Sequence, residues 1–177
     1  MSNTKTKILD LAESLTQERG FNGFSYLDLA AEIGVKHASI HYHFKSKADL
    51  ALALVERLRE QHSSAFEAFD HGLETPQQRL QAVIEFFQRY AQEKKFCMCG
   101  MMSAELQSVS PEVRRQLIGY FKDFQHWITK QFIAMKKEDA QNRALSFVSA
   151  LEGSLLLARL EDDPAIIASG LHSFVSD

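Results

Sequence analysis

The chain has 177 residues, 45% of them apolar and 13 of them Phe, with 24% charged residues, a formal net charge of −3 and only two Cys. That apolar content excludes a disordered chain, and two Cys one residue apart exclude a disulfide-stapled secreted domain. Three Pro, eight Gly and no alternating β-branched runs point to an all-α protein.

Residues 5–19 form an amphipathic pattern, with Ile8, Leu11, Ala12 and Leu15 at helical spacing and Gly20 as the stop. Phe21 and Phe24 follow, placed to close a small core. Ser25 is set to N-cap a short helix over 26–33, with Asp28 in its first turn. Leu27, Leu29, Ala30 and Ile33 are its expected apolar contacts. Gly34 stands where a helix stop needs positive φ, and Val35 fills the turn. A second short helix, 37–43, turns Ile40 inward with Phe44 just after it. Its other positions, with Lys36 before it, are donors or acceptors: Lys36, His37, Ser39, His41, Tyr42 and His43. This is the pattern of a helix-turn-helix, with a recognition helix held by one or two apolar pegs.

Ser46, with Asp49 after it, caps a long helix over 46–70 that carries apolar residues from Leu50 to Leu58. Thr75-Pro76 opens a helix over 76–94 with Leu80, Val83, Ile84, Phe87 and Tyr90 on one side. Helices over 96–109, 110–135, 138–160 and 164–174 complete an expected total of about nine. No apolar run approaches the ~18 residues of a membrane helix. Charges fall where a signal peptide needs its apolar region, so a cytoplasmic protein is expected.

Residues 5–57 resemble the DNA-binding domain of the TetR/AcrR family of one-component bacterial regulators. The resemblance rests on the first helix ending in Arg19-Gly20-Phe21, the Ser25 cap, Leu29-Ala30, Gly34-Val35, and Ser39-Ile40-x-x-His43-Phe44-Lys45-Ser46-Lys47-x-x-Leu50. The family usually places Tyr after the aliphatic residue of the recognition helix; this chain has His41 there, with Tyr42 next. The resemblance implies a helix-turn-helix DNA-binding domain over 1–50 and a helical ligand-sensing and dimerisation bundle over 51–177. Carried over residue by residue, it implies base-edge contacts from Lys36, His37, Ser39 and Tyr42. Ser25, Tyr26, His41, His43 and Lys47 would touch the DNA backbone, the Lys47 amide adding to its side chain. The partner so implied is double-stranded DNA with a palindromic operator.

Charge permits this without demanding it. Residues 1–50 hold six Lys and Arg against six Asp and Glu, so the other 127 residues carry the whole −3. A basic face remains available on a neutral module when its acids point elsewhere.

The segment Phe96-Cys97-Met98-Cys99-Gly100-Met101-Met102-Ser103-Ala104-Glu105-Leu106 resembles one found in part of the family, usually Gly-Cys-Leu-x-Gly-Asn-Leu-x-x-Glu-Leu. Cys97, Gly100, Glu105 and Leu106 match, while Phe96 and Met101 depart. Some members with this pattern sense electrophiles or oxidants through a pocket cysteine. A thiol at a helix N-terminus gains nucleophilicity from the dipole; the competing reading is that both Cys are soft core filler.

Expected walls of a hydrophobic ligand pocket are Phe66, Phe86, Phe87, Tyr90, Cys97, Met101, Phe121, Phe124, Trp127 and Phe147. Gln107, Gln125, His126 and Glu152 are candidate polar handles. The last two helices are expected to form half of a four-helix homodimer interface, with Val148, Leu155, Leu156, Ile167, Leu171 and Phe174 among its residues. No Gly-x-Ser-x-Gly, glycine-rich phosphate loop or Asn/Asp–His pairing at a recognisable spacing supports an enzyme that would use Cys97 with a histidine, and no cofactor is expected. His37 and His41 share a helix face but no carboxylate or thiolate nearby completes a metal site. The reading is a dimeric repressor that releases DNA on binding a hydrophobic small molecule or on modification of Cys97. A helix-turn-helix protein with a vestigial pocket, or with a protein partner, stays open as the alternative.

Overall fold

Local signals set the helix boundaries of the N-terminal region. The computed structural model describes residues 4–176, in which there are nine α-helices and no strand. Helix α1 (Thr4–Arg19) stops at Gly20, whose φ of 85° is left-handed, and a single 3-10 turn, Phe21–Gly23, follows. Helix α2 (Tyr26–Ile33) begins with a reciprocal capping box: the Asp28 amide donates to Ser25 Oγ while the Ser25 amide donates to Asp28 Oδ2. It ends at Gly34, φ 77°, where the Gly34 and Val35 amides both donate to the Ala30 carbonyl. Helix α3 (His37–His43) then crosses α2. Both short helices occupy the expected ranges.

Helix α4 (Lys47–Gly72) has its own capping box from Ser46 and Asp49. Helix α5 (Pro76–Gln92) is capped by Thr75 and Gln78. Helices α6 (Met98–Ala104), α7 (Pro111–Ala134), α8 (Ala140–Glu161) and α9 (Ala165–Leu171) complete the chain. The helix expected over 96–109 is shorter: it ends at Ala104, and Leu106–Ser108 is a separate 3-10 turn. The break falls at Glu105, whose carboxylate leaves the helix surface to accept from the Asn22 amide. The helix expected over 164–174 likewise closes as a 3-10 turn after Leu171.

The described chain forms two units. The first extends to Arg59 and takes in Met98–Ile118; the second comprises Glu60–Cys97 and the chain from Gly119 onward. Helices α4 and α7 contribute to both. In the first unit Ile8, Leu29, Ile40, Leu50 and Leu54 are all but inaccessible to solvent, each such side chain worth about 1.5–3 kcal/mol on burial. Leu27 does not join them. It is 63% exposed, because the inward face of α2 runs through Tyr26, Leu29 and Ala30 at i, i+3, i+4.

The return of Glu105 to Gly20 and Asn22 ties α6 to the base of the helix-turn-helix, reinforced by Asn22 Nδ2 donating to Ser108 Oγ. A Cβ at Gly20 would run into the Glu105 carboxylate on a backbone that L-residues avoid. Gly20→Ala is therefore expected to lower stability by about 2–3 kcal/mol in urea titration. Gly34→Ala, left-handed but with open space around it, should lose only about 1 kcal/mol. Equal losses would show that the Glu105 contact carries no weight.

Candidate nucleic-acid interface and buried aromatic core

Helix α3 is anchored by one face and open on the other. Ile40 and the following Phe44 are buried, whereas Lys36, His37, His41 and Tyr42 are exposed, Tyr42 to 83%. Ser39 and His43 are half-buried at the edges. The His37 and His41 rings meet edge to face at 4.7 Å, and His41 packs against Tyr26 at 5.0 Å. Grooves flank the helix on two sides. One of about 290 Å³ is lined by Phe24, Ser25, Tyr26, His41, Ser46 and Lys47. The other, about 320 Å³, runs along Val35, Lys36, Ser39, Tyr42 and His43.

Three of the residues expected at the DNA backbone have their side chains engaged within the fold. The Lys47 ammonium donates to the carbonyls of Phe21 and Phe24 at 2.6 Å each and lies over both rings, at 4.8 and 4.6 Å. Burial pushes its pKa down. The Tyr26 hydroxyl donates to the Ser46 carbonyl, and burial, with Asp49 nearby, holds its pKa up at about 12. Ser25 Oγ is occupied by Asp28. Tyr26 and Lys47 thus brace the floor under α3, and the groups there suited to an anion are the amides at the start of α2 and α4 rather than these two side chains.

The expected pocket residues separate into groups. Phe66 stacks on Phe124 and Trp127 at 5.3 and 4.8 Å, and Phe87 on Phe124 at 5.7 Å. Tyr90 meets Phe86 and Phe87, and Phe121 meets Tyr120. Phe147 lies in a different cluster with Phe132 and Phe174. Met101 belongs to the first unit, near Gly20.

A string of polar groups runs through the second unit. His62 from α4, 3% exposed, has Nδ1 3.1 Å from the Tyr120 hydroxyl of α7 and Nε2 3.4 Å from the Tyr90 hydroxyl of α5. Tyr120 Oη is 3.9 Å from Cys97 Sγ. Cys97, a buried thiol one residue before α6, neighbours the Glu152 carboxyl of α8. Burial pushes His62 down to about 4, so it is neutral. Burial pushes Glu152 up to about 7, against a smaller downward pull from the Cys97 thiol. Glu152 and Cys97 were visible in the sequence as candidates. His62 and Tyr120 were not, since the surrounding Glu60-Gln61-His62-Ser63-Ser64 reads as a solvated helix face.

Of the six expected interface residues, Val148, Leu155, Ile167 and Leu171 are buried in their own unit and Phe174 is half-buried against Phe132 and Phe147. Helical period explains this: α8 turns Ala144, Phe147, Val148, Leu151 and Leu155 inward. Leu156 is 60% exposed, and it shares the open side of α8 with Leu145, Leu157 and Leu160, the last 78% exposed.

An all-helical chain with a capped helix-turn-helix and an open recognition helix defines a DNA-binding regulator. Residues 8–54 match the family described as bacterial regulatory proteins, tetR family, and residues 76–169 match the C-terminal domain of LmrA/YxaF-like transcriptional regulators. The chain belongs to the TetR family and is a transcriptional regulator. It is similar to a TetR transcriptional regulator from Legionella pneumophila, with 31% identity, 99% of this chain and 97% of that one covered, and a TM-score of 0.94. It also resembles an HTH-type regulator in the lacX 3' region of Lactococcus lactis, 25% identical over 96% of this chain and 90% of that protein. The biofilm operon icaADBC negative regulator IcaR of Staphylococcus aureus is 26% identical, over 82% of this chain and 81% of its own length. The family is one of transcriptional regulators rather than enzymes. No described helix is long and apolar enough to cross a membrane.

Proposed function

We propose that the chain is a cytoplasmic, dimeric repressor that binds a palindromic operator and lets go when its C-terminal bundle takes up a small molecule or when Cys97 is modified. The division of labour follows the sequence reading: residues 1–50 hold DNA, and 51–177 sense and dimerise. The observation that carries it is the open face of α3, where His37, His41 and Tyr42 project from a sealed three-helix base. Lys36, His37, Ser39 and Tyr42 read base edges in the major groove. His41, His43 and the helix-start amides of α2 and α4, around Ser25, Tyr26 and Lys47, position the backbone. The sensing half is supported by the buried aromatic interior of the second unit, with Phe66, Phe87, Tyr90, Phe121, Phe124 and Trp127 around the polar string that ends at Cys97 and Glu152. Ligand or thiol modification acts by binding one arrangement of the bundle better than another, a coupling of about 1–3 kcal/mol.

The test is fluorescence anisotropy on the DNA flanking the protein's own gene, against a scrambled duplex. Tyr42→Ala, on a side chain 83% exposed, is expected to weaken specific binding at least tenfold without changing thermal stability, in line with about 1–3 kcal/mol per base contact. Unchanged affinity in both Tyr42→Ala and His37→Ala would remove α3 as the reading element.

A further inference from the structure

Both carboxylate oxygens of Glu152 are sealed from solvent, and no N–H or O–H donor of the described residues reaches either of them. The Cys97 thiol, a weak donor, lies beside the carboxyl. Among the described residues it is the one group that favours the charged form. The only buried imidazole in the same string, His62, is neutral and offers no compensating charge. An uncompensated buried carboxylate is among the most unfavourable arrangements a core can hold, and an apolar residue of similar size would relieve it. Its neighbours along α8, Leu151 and Leu155, do just that. The chain nevertheless keeps an acid at this position, next to a thiol that joins it to the aromatic-lined Tyr120 and His62.

A metal does not answer the need, because no group of three His, Cys, Asp or Glu side chains suited to a metal occurs among the described residues. What the two oxygens lack is a positive charge carrying N–H donors. What surrounds the string is ring faces and edges: Phe86 and Phe87 stand at right angles to His62, at 5.2 and 5.6 Å. We propose that Glu152 is the anchoring anion of a binding site, in the second unit, for an apolar organic cation whose charged end donates N–H bonds, an amine or amidine with an aromatic or aliphatic body. The carboxylate takes the charged end, two parallel N–H···O bonds satisfying both oxygens as in an arginine–carboxylate pair, and the aromatic side chains take the body. This names the ligand class of the sensing bundle and rests on the regulator reading for its biological use.

The probe pair is benzamidine and benzamide, which share a shape and differ in charge, titrated calorimetrically into the full-length protein at pH 8. Phenethylamine serves as a second cation. Benzamidine is expected to bind at least tenfold more tightly than benzamide, and Glu152→Gln to abolish the difference while leaving the weak binding of benzamide intact. Equal affinity for the two, a preference that survives in Glu152→Gln, or no binding of either cation overturns the proposal. Operator binding measured in parallel separates the two readings. Cation binding that leaves DNA affinity unchanged keeps the site and rejects its role in sensing. DNA release by neutral compounds, with no preference for cations, keeps the regulator and rejects the site.

Discussion

Glu152→Gln is expected to gain about 3 kcal/mol in stability relative to the wild type as the pH is raised from 4.5 to 8, the shift of its carboxyl from 4.5 to about 7 corresponding to that free energy. The sign follows from where the proton sits. The folded carboxyl holds its proton up to about 7 and the unfolded one releases it near 4.5, so the wild type loses stability across that window and the amide does not. At pH 4.5 and below, the protonated acid and the amide are close in shape and charge, and the two proteins should converge. His62 acts in the opposite sense. Its folded pKa of about 4 lies below the ordinary 6.5, so its contribution is complete above 6.5 and is lost as the pH falls towards 4. In the wild type the two slopes oppose each other between 4.5 and 6.5. Urea titrations at fixed protein concentration separate them: Glu152→Gln should rise to pH 6.5 and then level off, whereas His62→Phe should fall continuously from 4.5 to 7. Parallel curves for wild type and Glu152→Gln would mean that the carboxyl is not buried in solution.

The second large effect is on assembly. If the proposed dimer pairs through α8, Leu156→Glu combined with Leu160→Glu is expected to give a folded monomer and to weaken operator binding by at least two orders of magnitude. Both side chains are largely exposed in the single chain, at 60% and 78%, and lie with Leu145 and Leu157 on the open side of α8. A protein that exposes a leucine stripe of this kind covers it, and two-fold pairing of α8 with its copy also supplies the symmetry that a palindromic half-site pair requires. Because neither leucine contributes to the core of its own unit, the helix content by circular dichroism should stay at the wild-type level. Light scattering then reads the mass directly. A variant that remains dimeric with full DNA affinity would place the interface elsewhere.

The helix-turn-helix was legible in the sequence because its determinants are local. Ser25 and Asp28 cap α2 across three residues, Gly34 supplies the left-handed stop, and Ile40 and Phe44 peg α3; these fix both helices to their observed ends. The exposure of Tyr42 follows from its place opposite Ile40. Helical period with Leu29 and Ala30 favours Tyr26 over Leu27 as the inward residue of α2, but a buried Tyr needs a partner for its hydroxyl. That partner is the Ser46 carbonyl twenty residues on, which receives the Tyr26 hydroxyl. Lys47 is similar: its sequence neighbours read as a phosphate-binding helix start, and only the approach of the Phe21 and Phe24 carbonyls directs its ammonium inward.

The sequence by itself therefore determined the helical class, the helix-turn-helix with the open face of its second helix, and the family, since capping, glycine stops and apolar period act over one or two helical turns. Tertiary structure decided which leucines of α8 are core and which are open, the break at Glu105 that ties α6 to Asn22, and the string from His62 through Tyr120 and Cys97 to Glu152. Those features join side chains up to ninety residues apart, from five different segments. Burial there changes the protonation of an acid and an imidazole that sequence alone leaves at their ordinary values, because a group's cost of charging is set by everything packed around it.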